Sequence, residues 1–131
     1  MSKVFLLIAA LLGALSVVLG AFAAHGLKKI IPADAITTFE TGVRYQFYHT
    51  FALLAVGILL ERFPAQSLVW SGYSFIAGIA LFSGSLYALA LLNSTGNVGI
   101  SKIGIITPFG GLFFILGWIY SSPKGPLINI S

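Results

Sequence analysis

Apolar residues along this chain gather into four long runs, at about 4–24, 38–60, 70–92 and 103–120, with polar stretches between them. An α-helix rising 1.5 Å per residue needs about 20 residues to cross about 30 Å of hydrocarbon, and each run approaches or meets that length. The pattern predicts an all-α fold, a four-helix bundle integral to a membrane, with residues 1–131 as a single domain. Inside the runs the period is helical. Ala9, Gly13, Ser16, Gly20 and Ala24 recur at steps of three or four, while Leu7, Leu11, Leu15, Val18 and Phe22 fall on the opposite side. A small-residue face lets a neighbouring helix come close, and the bulky face suits lipid. Ser74, Ala77, Gly78, Gly84, Ser85 and Ala88 share one arc of the third run in the same way.

The polar stretches set the predicted ends. Helix one stops near His25-Gly26, with the glycine as a C-terminal stop, and Pro32 opens a short surface helix leading into span two. His25 then lies at the water boundary, as a solvated or capping side chain or one that handles a proton. Thr37 and Glu40 have the spacing of a capping box, which starts the second helix at Thr38. Residues 63–69 read as a short polar turn and residues 93–102 as a loop rich in turn formers. Trp70, Tyr73, Trp118 and Tyr120 fall where interfacial anchors belong. In the fourth run Thr107-Pro108 and Gly110-Gly111 interrupt the apolar residues, so this helix is kinked near Pro108 or broken into two halves. In either form the proline denies a bond to the carbonyl of Gly104.

The second run differs from the others because its purely apolar part, from Phe51 to Leu60, is too short to span alone. Gln46, His49 and Thr50 are therefore carried to membrane depth. A helical wheel puts Gly42, Gln46, Thr50, Leu53 and Gly57 on one face with His49 beside them, and Glu40, Arg44, Phe47, Tyr48 and Phe51 on the other. The small and polar face turns into the bundle. On the outer face Glu40 and Arg44 are four apart in the favourable order for an ion pair at the headgroups. Two readings of the buried trio stay open. In one, Gln46, His49 and Thr50 tie helices together by bonding to serines of span three or to the carbonyl freed by Pro108. In the other, they line a polar cavity beside Gly104, Thr107 and Pro108 of the broken fourth helix, where a small solute or proton is handled. The helix-packing positions expected to matter most are Gly13, Ser16, Gly20, Gly78, Gly84 and Ser85.

Composition narrows the function classes. With 58% hydrophobic and 8% charged residues and a mean hydropathy of +1.02, the chain lies outside the soluble globular range. The net charge of +4 comes from residues flanking the runs, which points to a lipid bilayer as partner and away from nucleic acid. Counting Lys3, Arg62 and Lys124 on the side of the termini against Lys28, Lys29, Lys102 and Arg44 opposite leaves the orientation open. Lys3, the first run and Ala21-Phe22-Ala23 have the order of a secretory signal, but signal cores hold about 7 to 15 apolar residues and this run is longer, which favours a retained span. The chain has no cysteine, two histidines and three acidic residues, Asp34, Glu40 and Glu61, at loops or helix ends. That supply points to no metal, no cofactor and no catalysis. Ser83 and Ser85 have no base beside them in sequence and read as packing residues. Four short spans enclose little space, so self-association is expected, and an accessory role bound to another membrane protein through Phe47, Tyr48 and Phe51 is the alternative.

Four blocks carry a resemblance: GAFAAHGL at 20–27, TGVRYQFYHTFALL at 41–54, LFSGSLYAL at 81–89 and ITPFGGLFFILGW at 106–118. Together they resemble the transmembrane protein 256 family, the YgdD-like small membrane proteins classed as a domain of unknown function. Ala23 departs from the glycine expected in the family pattern. The resemblance implies a four-helix membrane protein, in bacteria of the inner membrane, and brings no activity with it.

Overall fold

The computed structural model describes residues 1–93 and 100–123, so most of the expected 93–102 loop and the tail with Lys124 lie outside the described residues. Helix α1 spans Ser2–Ala24 and hands over at His25 to a 3-10 turn, Leu27–Lys29. Gly26 keeps a right-handed φ of −68°, so it is not the left-handed stop expected of it. The His25 amide instead bonds back to the Ala21 and Phe22 carbonyls, and buried Leu27 pins the turn.

Helix α2 spans Ala33–Arg62 without a break. Pro32, in extended conformation, forms its N-cap, and Asp34 sits in the first turn where negative charge favours the helix dipole. The helix thus begins before Thr38, and the surface helix and the span are one piece. The capping box does not form, because Thr37 already lies inside the helix and its hydroxyl bonds back to the Ala33 carbonyl at 3.2 Å. At 30 residues α2 is about 45 Å long and overhangs the hydrocarbon.

The third span also starts early. Helix α3 spans Gln66–Gly78, a π-helical turn covers Ile79–Ser83, and α4 continues as Gly84–Asn93. The extra residue in the π turn rotates everything after it by about 100° against a regular wheel. Gly84 is accordingly off the packing arc predicted for it: a Cβ there would meet nothing within 4 Å, whereas one on Gly78 would overlap Phe114. Helix α5 spans Ile100–Ser121 with Pro108 inside it, so the fourth span is one helix rather than two halves.

Among the described residues, four helical stretches are long and apolar enough to cross a membrane. Consecutive spans run antiparallel. α1 lies against α2 with Gly13 facing Thr50 and Gly20 facing Val43, and Leu6 lies against Gly57. α2 is central, touching α1 on one side and α3, the π turn and α4 on the other; α5 closes the bundle against α3 and α4. Among the described residues the buried apolar side chains form two clusters. One gathers Phe5, Leu53, Val56 and Phe75 near the chain's N-terminal end of the bundle, the other Ala23, Leu27, Phe39 and Ala90 near the opposite end. Gln46, His49, Thr50, Ser16 and Ser83 are buried along the helices between them.

Candidate functional site

This polar belt is built mostly from α2. Its burial follows from helical spacing: positions 42, 46, 49, 50, 53 and 57 point inward while Arg44, Tyr48 and Phe51 are exposed. Glu40 is exposed as well, and no ion pair joins it to Arg44. An exposed pair at this spacing gains only about 0.3 to 0.5 kcal/mol, too little to fix two long side chains.

Gln46, 1% exposed, donates from Nε2 to the Leu12 carbonyl of α1 at 3.2 Å and accepts the Tyr87 hydroxyl of α4 on Oε1 at 2.6 Å. The same Leu12 carbonyl accepts Ser16 Oγ at 2.7 Å. One carboxamide therefore ties three spans together. The partners are not those expected for it, since neither a span-three serine nor the carbonyl of Gly104 is used.

His49, 5% exposed, has both ring nitrogens engaged. Nδ1 lies 2.7 Å from the Tyr45 carbonyl and Nε2 lies 3.2 Å from Trp118 Nε1. A carbonyl can only accept and an indole N–H can only donate. The two bonds together require the neutral tautomer with its proton on Nδ1. The ring stacks on Phe114 at 3.5 Å between centroids and also meets Phe75. Phe75 and Trp118, which cover His49, wall a groove of about 350 Å³ on the lipid face together with Tyr48 and Phe51.

The other members of the predicted cluster lie apart. Thr107 bonds to Ser85, which also donates to the Phe82 carbonyl at 2.9 Å, so the Thr107 hydroxyl donates to Ser85. Pro108 is exposed and Gly104 has no atom within 4 Å of a built Cβ. His49 is level with Phe114, six residues beyond Pro108 and about 9 Å further along the helix, which is why the proline and the histidine do not share a cavity. Thr50 Oγ1 is buried without a partner. Ser83 donates to the Gly42 carbonyl and Ser71 to the Gly117 carbonyl, at 2.7 and 2.6 Å. Tyr87 and Trp118 are the members that sequence reasoning missed. A tyrosine in mid-span among small residues was the available signal, because its hydroxyl must find a partner in the dry interior. Among the described residues no three His, Asp or Glu side chains gather to hold a metal.

Comparison with known proteins adds identity to this geometry. A profile described as "Protein of unknown function (DUF423)" matches residues 19–111. A UPF0382 membrane protein of Haemophilus influenzae is 46% identical over 119 residues, covering 91% of this chain and 90% of the relative. UPF0382 membrane protein YwdK of Bacillus subtilis is 42% identical over 118 residues, covering 89% and 91%. UPF0382 inner membrane protein YgdD of Escherichia coli is 38% identical over 117 residues, covering 89% and 85%. No solved structure matches.

Proposed function

This chain belongs to the DUF423 family of membrane proteins, and from that premise we propose that it is a non-enzymatic, self-associating helical unit whose buried polar belt is interhelical glue. The observation that carries this reading is the satisfaction of Gln46 and His49 within the bundle. Gln46 gives one bond and takes one, and both nitrogens of His49 are engaged, so the imidazole is committed to the bundle and the carboxamide is held at both ends. The active surface is then the exterior. Arg44, Tyr48 and Phe51 form an exposed face on α2, with the two rings at the depth of the belt, suited to a second copy of the chain. In this reading the four candidate spans all cross, which would bring Met1 and the end of α5 to the same side, and the bacterial relatives support the inner membrane as the location.

Reconstitution in liposomes tests the reading. Proton flux through the protein should equal that of empty vesicles and should not change in His49→Ala or Gln46→Ala, while both variants lower the unfolding temperature. Flux that exceeds the empty-vesicle rate and falls in either variant would replace glue with a solute site. Because the chain has no cysteine, Tyr48→Cys gives a single reporter, and disulfide-linked dimers in native membranes are the expected outcome for self-association.

A further inference from the structure

Among the described residues, three surface grooves share Gln66 at the head of α3. The largest, about 460 Å³, follows a single stripe of α3 through Gln66, Trp70, Tyr73, Ser74 and Ala77, with Phe113 of α5 as its opposite wall. Gln66 and Ala77 are eleven residues apart, about 16 Å along the helix, which equals half of a roughly 30 Å hydrocarbon core. The groove therefore has the depth of one leaflet. Its polarity changes along that depth. Gln66 and the half-exposed Trp70 and Tyr73 stand at the outer end, where amphipathic rings belong, and Ala77 and Phe113 close the inner end. A second groove, of about 210 Å³, leaves Gln66 on the other side of Trp70, lined by Ser67 and Tyr120.

Charge at this end is biased. Tyr73 meets Met1, which puts the start of α1 beside α3. Among the described residues the ionisable side chains of the flanking termini are Lys3 and Arg62 against Glu61, all exposed, a basic excess next to the polar mouth. We propose that the α3 groove is a binding site for one acyl chain of an anionic glycerophospholipid, its phosphate lying at the Gln66 mouth toward Arg62. The smaller groove beyond Trp70 takes the start of the second chain, so the indole separates the two. This site is independent of the Gln46 and His49 belt and of how that belt is read.

Native mass spectrometry of the detergent-solubilised chain, titrated with phosphatidylglycerol and with phosphatidylcholine of matched chains, tests the site. One phosphatidylglycerol should be retained in preference to phosphatidylcholine. Ala77→Trp, which fills the inner end, should lower retention by about tenfold, while Ala10→Trp on the exposed face of α1 leaves it unchanged. Arg62→Gln should reduce phosphatidylglycerol binding by about fivefold and erase the preference. Equal loss in Ala10→Trp and Ala77→Trp, or no retained lipid, would overturn the proposal, and equal retention of the two lipids would overturn its anionic part. Should Ala77→Trp fail to fold, Trp118→Phe leaves Trp70 as the sole indole. Its fluorescence should then be quenched saturably by bromine-labelled phosphatidylglycerol chains; quenching that merely tracks bulk lipid fraction, alike for both lipids, counts against a site.

Discussion

His49 combines two bonds that only its neutral form can make, so its side chain belongs to the packing in one protonation state and one tautomer. The Trp118 partner is half exposed, and the bond between them crosses from α2 to α5. Hydrogen bonds between membrane helices are worth about 0.6 to 1.7 kcal/mol, because the unfolded chain in lipid finds partners too. A double-mutant cycle on His49→Ala and Trp118→Phe, read by unfolding in detergent, should return a coupling energy in that range. Gln46→Leu should cost more than Tyr87→Phe, since it removes both bonds and leaves the Leu12 carbonyl with Ser16 alone and the Tyr87 hydroxyl without Gln46. A larger loss in Tyr87→Phe would mean that the tyrosine, not the carboxamide, is the joint of the belt.

Among the elements, the third span carries the least regular geometry and the closest approach. The π turn at Ile79–Ser83 pushes the backbone of Phe82 against α5, where Gly110 provides the room. A Cβ on Gly110 would overlap the Phe82 backbone nitrogen, which cannot swing aside as a side-chain tip does. Gly110→Ala should therefore destabilise by about 1 to 3 kcal/mol, the usual result of overpacking. Gly84, one residue past the π turn, faces open space, and Gly84→Ala should be neutral or slightly stabilising. Thermal melts of the two variants side by side check this; equal melting temperatures would mean that the π turn relaxes to accommodate the methyl. The same element explains a miss in the sequence reading. A wheel drawn at 100° per residue assumes no insertion, and nothing local in residues 79–83 announces one.

At the scale of the molecule, two apolar clusters are separated by a belt of hydroxyl, amide and imidazole groups near mid-depth. In lipid the apolar effect does not drive helices together, so tight packing at Gly42, Gly78 and Gly110 and directional bonds at Gln46 and His49 supply the association. The peripheral helices fit this account. The apolar windows of α1 and α5 are 17% buried and that of α2 is 50%, so α2 is the element on which the others assemble. Four crossings carry a topological consequence that is simple to check. Ser2→Cys and Ser122→Cys, each alone in a cysteine-free chain, should be labelled by an impermeant maleimide from the same side of sealed vesicles. Labelling from opposite sides would reduce the spans to an odd number.

Run length and composition sufficed for the all-α class, the four spans and the burial of Gln46, His49 and Thr50, because a backbone in lipid has to bond to itself and the period of a helix fixes which residues share a face. Helix starts were less legible. Thr37 and Glu40 carry the spacing of a cap, yet Pro32 upstream begins the helix first, and a hydroxyl inside a helix bonds backward. What only the tertiary structure decided was who meets whom. Gln46 finds Leu12 and Tyr87, and His49 finds Trp118 and Phe114 while Pro108 stays about 9 Å before Phe114 along its helix. Those pairings depend on the axial register between helices and on one inserted residue in the third span. Register is set by contacts far apart in sequence, and no single stretch of the chain records it.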